Sequence, residues 1–78
     1  MMVTVEGVIT SVEEKTKDDK PYTELLLAQK GEKMQVTVRV PGAKSNDYEP
    51  FQVETFQGRL MQWATRNGVG SMVMVDGN

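Results

Sequence analysis

The chain has 78 residues and a formal net charge of −2, and it contains neither histidine nor cysteine. This length fits one small domain, residues 1–78, and the missing residue types exclude disulfides, thiolate metal sites and histidine-based acid–base chemistry. The composition therefore predicts a protein that is not an enzyme and has no catalytic residue, no metal and no cofactor.

The first predicted element is a strand over residues 3–12, which are rich in β-branched side chains. Gly7 interrupts this strand. A glycine inside a strand often marks a bulge or a sharp coil, which lets one strand pair on two sides of a small barrel. Residues 13–20 are charged, and we expect a flexible connection there that contains the turn residues Asp18 and Asp19.

A β-hairpin is predicted next, with arms at residues 22–28 and 34–40 and a polar turn between them. The second arm alternates strictly between apolar and polar side chains, which is typical of a strand with one buried face. Its apolar face consists of Met34, Val36, Val38 and Val40, and its exposed face consists of Gln35, Thr37 and Arg39.

Residues 41 and 42, proline and glycine, end this hairpin, and residues 43–50 predict a polar loop. Alternation resumes over residues 51–56. This pattern predicts a fourth strand with Phe51 in the core and Phe56 on the polar face.

Helical spacing follows, because Leu60, Trp63 and Ala64 lie at positions i, i+3 and i+4. Residues 58–67 therefore predict a short helix that buries Trp63 and ends at Gly68. Residues 72–75 predict the last strand, and residues 76–78 predict a frayed end or the start of a turn.

This order of elements predicts an all-β protein with one short helix between the last two strands. Small β domains avoid open edges by closing into barrels. The prediction is a five-stranded barrel similar to the oligonucleotide/oligosaccharide-binding (OB) fold.

Positive charge is concentrated around the hairpin, since residues 15–44 carry seven basic and four acidic side chains. Local potential rather than net charge attracts a polyanion. Lysines also gather in turns because turns are exposed to water, so the sequence leaves both interpretations open.

Four segments of the chain form a recognisable set, namely VTVEGVI (3–9), KPYTELLLA (20–28), FQGRL (56–60) and GSMVMVDG (70–77). The first is an opening strand with an internal glycine, and the second is a strand entered through lysine and proline. The third is an aromatic, glycine, basic and leucine stretch before a Trp-Ala pair, and the fourth is a glycine-started strand with an acidic-glycine ending. Together they resemble the OB-fold single-stranded DNA-binding proteins of bacteria and their phages.

The chain departs from the family because residues 34–40 add a strand and because the sequence stops at Asn78. Three explanations stay open. Residues 34–40 supply the family strand that is otherwise missing, a neighbouring subunit supplies it, or the chain is truncated. In the first case Gln35, Thr37 and Arg39 line a groove.

The resemblance implies sequence-independent binding of single-stranded DNA in replication, recombination or repair, for a phage, a mobile element or a chromosome. It also implies a homo-oligomer, either a dimer or a tetramer. Such proteins stack bases on aromatic side chains and hold phosphates in a basic groove. The predicted DNA-binding residues are Lys20, Tyr22, Lys30, Lys33, Gln35, Thr37, Arg39, Tyr48 and Phe56.

Other functions stay open at this point. An OB-fold protein-interaction or adaptor module without nucleic-acid affinity is the main alternative, and RNA is a second possible ligand. No stretch approaches the roughly 18 apolar residues of a membrane span, and no basic region followed by an apolar run opens the chain. We therefore expect a cytoplasmic protein without a membrane partner, and the lack of cysteine is compatible with a reducing compartment.

Overall fold

A computed structural model describes residues 1–75 and shows an all-β, five-stranded closed barrel. Around the barrel the strands follow the order β1-β2-β3-β5-β4, with β3 parallel to β5 and the other neighbours antiparallel. The strands are β1 (Met2–Lys17), β2 (Lys20–Ala28), β3 (Val36–Pro41), β4 (Val53–Thr65) and β5 (Gly68–Met74). The OB-like barrel predicted from the sequence is confirmed.

Strand β1 closes the barrel because it pairs with two neighbours in turn. Its first half, from Met2 to Val8, pairs with β4, and its second half, from Val8 to Lys17, pairs with β2. A bulge between Ile9 and Ser11 marks the change. Gly7 stands where β1 closely approaches the end of β2, since a Cβ there would lie 2.7 Å from the carbonyl oxygen of Ala28. The predicted role of Gly7 in a coiled first strand agrees with this geometry.

The connection after β1 is shorter than the sequence predicted. Residues 13–17 continue the strand, and only Asp18 and Asp19 form the turn, with φ angles of 53° and 62°. Two consecutive positive φ angles are the signature of a type I′ hairpin turn, in which aspartate is favoured. The charged stretch is therefore one arm of a β-ribbon rather than a flexible connection.

The alternation predicted for the central hairpin is confirmed over the observed strands. Leu25, Leu27, Val38 and Val40 are buried in the core, which they share with Ile9, Phe56 and Val73. Strand β3 begins only at Val36, so Met34 lies outside it and is exposed.

The helix predicted at residues 58–67 is wrong, because these residues belong to β4 and its hairpin with β5. Thr65 pairs with Gly68, so the turn between the two strands has two residues, Arg66 and Asn67. The one helical element in residues 1–75 is a 3-10 turn, Ser45–Asp47, between β3 and β4.

The predicted faces of the fourth strand are also wrong. Phe56 is buried at 6% exposure, whereas Phe51 precedes β4 with a φ of 72° and is 82% exposed. Trp63, predicted to be core, is 48% exposed on β4. Residues 54, 56, 58 and 60 point inward, and a shift of one residue in this alternation exchanges the two faces of a strand.

Among residues 1–75 no helix has the length and apolar character needed to cross a bilayer. The predicted frayed end, residues 76–78, lies outside the described residues.

Candidate nucleic-acid interface

The outer surface of β2, β3 and β5 carries a groove, and strand register sets the residues on its floor. Glu24 pairs with Arg39 across β2 and β3, and Arg39 pairs with Met74 across β3 and β5. Two residues earlier on β3, Thr37 pairs with Met72 of β5, and Met72 pairs in turn with Met61 of β4. These side chains lie on the outer face because their neighbours Val38 and Val73 point into the core.

The groove consists of two adjoining depressions that share Arg39. The lysine pocket, of about 280 Å³, lies beside the β1–β2 hairpin and is lined by Lys17, Asp18, Lys20, Pro21, Tyr22, Arg39, Pro41, Met74 and Val75. The tryptophan pocket, of about 540 Å³, lies beside the β4–β5 hairpin and is lined by Glu24, Met34, Gln35, Thr37, Arg39, Trp63, Val69, Gly70, Ser71 and Met72. The two lysines of the lining, Lys17 and Lys20, lie in the lysine pocket, and apolar side chains line both pockets.

Arg39 lies between an aromatic ring and a carboxylate. Its guanidinium carbon lies 4.3 Å from the centroid of the Tyr22 ring, which is within the range of a cation–π contact. Its Nη2 atom lies 3.6 Å from Oε2 of Glu24. Tyr22 is half-buried by this contact, so one part of the ring supports Arg39 while the remainder lines the lysine pocket.

Glu24 also binds Lys15. This lysine lies on β1, opposite Tyr22 of β2. Lys15 Nζ donates to Oε1 of Glu24 at 3.1 Å. This hydrogen bond, together with the charge of Glu24, raises the pKa of the Lys15 ammonium above its ordinary value. Glu24 therefore interacts with two cations from two strands.

Trp63 lies at the far end of the groove, against a glycine on the neighbouring strand. A Cβ at Gly70 would stand 2.5 Å from Cε2 of Trp63, so the indole covers the backbone at this position. Covering a strand glycine with an aromatic ring stabilises a hairpin by itself. The ring is nevertheless 48% exposed. This exposure leaves part of the largest aromatic surface in the chain open to a ligand.

Five of the predicted DNA-binding residues line the groove, namely Lys20, Tyr22, Gln35, Thr37 and Arg39. Gln35 is oriented by Thr10, whose hydroxyl donates to Gln35 Oε1 at 2.8 Å. Lys30 and Lys33 are exposed in the loop between β2 and β3 and do not line either pocket.

The two remaining predicted residues lie away from the groove. Phe56 was expected on an exposed face, but it belongs to the core and presents no ring to a base. Tyr48 packs on Phe56 with 5.5 Å between ring centroids. Burial raises the pKa of Tyr48, and the carboxylates of Glu54 and Asp47 raise it further. Phe56 thus belongs to the core, and the partly buried Tyr48 packs against it.

Sequence reasoning missed Trp63 and Lys17 as groove residues. The helical spacing around Trp63 rested on three apolar residues, fewer than a reliable periodicity needs. The Asn67-Gly68 pair carried the better signal, since Asn-Gly between β-rich segments is a strong hairpin indicator. The observed hairpin turns one residue earlier, at Arg66 and Asn67, and this register places Trp63 opposite Gly70.

In residues 1–75 no group of three or more carboxylates is placed to hold a metal ion. Comparison with protein-family models, with curated proteins and with solved structures finds no match to this chain. The groove itself is therefore the basis for any functional proposal.

Proposed function

We propose that this protein binds single-stranded DNA without sequence preference, as the OB-fold single-stranded DNA-binding proteins of bacteria and phages do, and that it serves replication, recombination or repair. The observation that carries this proposal is the composition of the groove. Two aromatic rings, Tyr22 and Trp63, line its two ends, and Arg39 lies on the floor that both pockets share. Exposed rings that accept bases of any identity, combined with cations for phosphates, form the usual platform for a single strand.

The position of the groove supports the same proposal. In OB barrels the outer surface of the second and third strands, flanked by the hairpins between strands 1 and 2 and between strands 4 and 5, is a common site for oligonucleotides. The groove of this protein lies on that surface, with Lys17 and Lys20 at the first hairpin and Trp63 at the second. This support is an analogy between folds, and the side chains supply the chemistry.

Trp63 provides a direct experiment because it is the only tryptophan in the chain. We expect oligo-dT to quench its fluorescence at low salt with micromolar or tighter affinity, and we expect the affinity to fall steeply as salt is added. Absence of binding at low salt in the micromolar range would overturn the proposal. Oligo-U in a parallel titration separates DNA from RNA as the preferred ligand.

A matched pair of variants tests stacking. Trp63→Leu removes a ring from the groove, whereas Phe51→Leu removes a more exposed ring (82% against 48%) that lines neither pocket. Leucine keeps apolar cover in both cases. We expect the first variant to lose about 1–3 kcal/mol of binding free energy and the second to bind like the unmodified protein. Because Trp63→Leu removes the fluorophore, both variants are measured by anisotropy of a labelled oligonucleotide.

A protein-interaction module is the second candidate. Met34 and Val69 in the tryptophan pocket are 80% and 71% exposed, and Met61 lies opposite Met72, which lines the same pocket. Exposed apolar clusters of this kind often mark protein contacts. If the protein is an interaction module, charge reversal of Lys17 and Lys20 leaves the binding of its protein partner unchanged. If it binds DNA, the same change weakens DNA binding strongly.

We also propose a cytoplasmic homo-oligomer. Large apolar side chains outside the groove, such as Met2 and Val53, are more than half exposed and are available for contacts between copies. Size-exclusion chromatography with light scattering, with and without oligo-dT, measures the number of chains. A monomer under both conditions would contradict this proposal.

A further inference from the structure

One carboxylate lies in the middle of the groove between two cations. Glu24 contributes one oxygen to Lys15 at 3.1 Å and the other to Arg39 at 3.6 Å, and its side chain is only 22% exposed. A negative charge in this place repels the phosphates that the groove would hold. With Glu24 and Asp18 against Lys17, Lys20 and Arg39, the lining of the groove is barely net positive.

The contact between Glu24 and Arg39 is loose. At 3.6 Å the Nη2 and Oε2 atoms are farther apart than a normal N–H···O hydrogen bond, which is 2.7–3.2 Å long. The Nε atom of Arg39 is buried, and among the described residues it has no hydrogen-bond partner. An arginine has five N–H donors, so this guanidinium retains unused donors.

The contact between Glu24 and Lys15 is tight by comparison. It is a charge-assisted hydrogen bond at 3.1 Å, and the hydrogen bond and charge of Glu24 raise the pKa of the Lys15 ammonium. Glu24 can therefore release Arg39 and still keep one cation. The contact being broken is the longer of the two, at 3.6 Å against 3.1 Å.

From these contacts we propose that Glu24 sets the affinity of the groove by competing with phosphate for Arg39. In the free protein the carboxylate lies against the guanidinium. When a nucleic-acid strand enters, a phosphate oxygen takes that place and Glu24 stays with Lys15. Carboxylate and phosphate suit this exchange because a guanidinium fork binds either of them with the same geometry. This inference rests on the proposed function.

The exchange makes Glu24 a residue that limits affinity rather than one that supplies it. Such a limit has a use in a protein that coats single strands, because a strand bound too firmly cannot be handed to the next enzyme. It also predicts an unusual result, namely that removing a charged groove residue strengthens binding.

The test compares Glu24→Gln with Glu49→Gln. Both substitutions remove one negative charge, but Glu49 is exposed outside the groove. At about 50 mM salt we expect Glu24→Gln to bind oligo-dT about threefold to tenfold more tightly than the unmodified protein, with an advantage that shrinks as salt rises. We expect Glu49→Gln to change the affinity by less than about twofold.

A double-mutant cycle shows whether the effect passes through Arg39. If Glu24 competes for this guanidinium, Glu24→Gln has little effect in a protein that already carries Arg39→Gln. An equal gain in both backgrounds would mean that Glu24 acts only through its general charge, and it would overturn the competition.

The outcomes separate this inference from the function on which it rests. If neither the unmodified protein nor Glu24→Gln binds oligo-dT at low salt, DNA binding itself is wrong. If the unmodified protein binds and Glu24→Gln binds equally well or more weakly while keeping its thermal midpoint, DNA binding stands and the competition is overturned. If Glu24→Gln binds more tightly than the unmodified protein and Glu49→Gln does not, the result supports both DNA binding and the competition for Arg39.

Discussion

The indole of Trp63 covers Gly70 so closely that a methyl group on Gly70 would lie within 2.5–2.8 Å of three atoms of the ring. The glycine and the tryptophan face each other across β4 and β5, outside the buried core. The position of the ring at the edge of the groove therefore depends on the absence of a side chain on the adjacent strand.

The substitution Gly70→Ala tests this dependence. The new methyl group forces the indole away from β5, so we expect a changed fluorescence emission maximum and weaker binding of oligo-dT. Displacing a packed ring should also lower the free energy of unfolding by about 1 kcal/mol. Ser71→Ala is the control on the same strand, and an unchanged emission maximum in Gly70→Ala would contradict the close contact.

Thr23→Val tests the single buried polar side chain among the described residues. The Thr23 hydroxyl donates to the Gly42 carbonyl at 2.9 Å and accepts from the Lys44 amide at 2.8 Å, which fastens the chain after β3. Valine has the same shape but leaves both backbone groups without this partner. We expect a loss of about 2 kcal/mol in the free energy of unfolding, measured by urea denaturation.

The control for this measurement is Thr55→Val. The Thr55 hydroxyl also makes a hydrogen bond, to Glu6 at 3.0 Å, but it lies at the surface, where water replaces it. We expect a change within about 0.5 kcal/mol. If both variants lose the same free energy of unfolding, burial of the Thr23 hydroxyl does not increase its contribution to stability.

Two pairs of lysines test whether DNA follows the groove or the loop between β2 and β3, whose lysines the sequence also predicted to bind DNA. Lys17 and Lys20 line the lysine pocket, whereas Lys30 and Lys33 line neither pocket. Changing either pair to glutamine removes the same charge. For a single strand each phosphate contact contributes about 0.7 to the slope of log Kobs against log salt.

We therefore expect Lys17→Gln with Lys20→Gln to reduce that slope by about 1.4, and we expect the loop pair to change it by less than half as much. Fluorescence titrations at four salt concentrations supply the slopes. If the loop pair has the larger effect, the strand follows a path other than the groove.

Tyr48 provides a prediction about pH. Burial raises its pKa above the ordinary value of 10.0, so in the folded state the phenol keeps its proton at a higher pH than in the unfolded state. Between the two pKa values the folded protein holds more protons than the unfolded chain. Stability is therefore complete below pH 10 and falls as pH rises from there through the folded pKa.

The chain has two tyrosines, so Tyr22→Phe leaves Tyr48 as the only phenol. In this variant we expect the tyrosinate absorbance to rise with a midpoint above 10, and in urea we expect it to return to about 10. A folded midpoint equal to the midpoint in urea would contradict the burial of Tyr48 against Phe56.

The sequence predicted those parts of the fold where one face is apolar without interruption. Val38 and Val40 are buried as expected, and Leu25 and Leu27 on the neighbouring strand are buried with them. Gly7 was also a sound signal, because a strand that serves two neighbours needs a position without a side chain where they converge. Strand pattern and glycine together account for the closed barrel.

The sequence failed where apolar residues occur on both faces. Phe51, Val53 and Phe56 support either parity of β4, and the structure buries the last because Gly58 and Leu60 continue its face. Trp63 was assigned to the core because large aromatic residues are usually buried. Its exposed position depends on Gly70, which is distant from any local pattern that includes Trp63.

The candidate site was predictable where its residues alternate along a single strand. Gln35, Thr37 and Arg39 followed from alternation within one arm, and Tyr22 and Lys20 followed from the strand beside it. The pairing of Glu24 with both Lys15 and Arg39 joins three strands, and only the register of the barrel brings the three side chains together. Register between strands is a tertiary property that the spacing of residues along one strand does not contain.

The division of β1 between two partners has a consequence for folding. Both flanking hairpins close through two-residue turns, so they can form from local contacts. The seam between β1 and β4 instead joins residues as distant as Glu6 and Thr55, which are 49 positions apart. Pairing over such distances is slow because the ends of a long loop must meet first.

Once formed, the seam closes the barrel, so we expect it to open only when the whole barrel unfolds. The amides of Val5 and Phe56, which lie opposite each other in the seam, would then exchange their hydrogens only through global unfolding. The tips of the two hairpins would exchange through local fraying. The surface that flanks the groove can thus move without loosening the closure of the barrel.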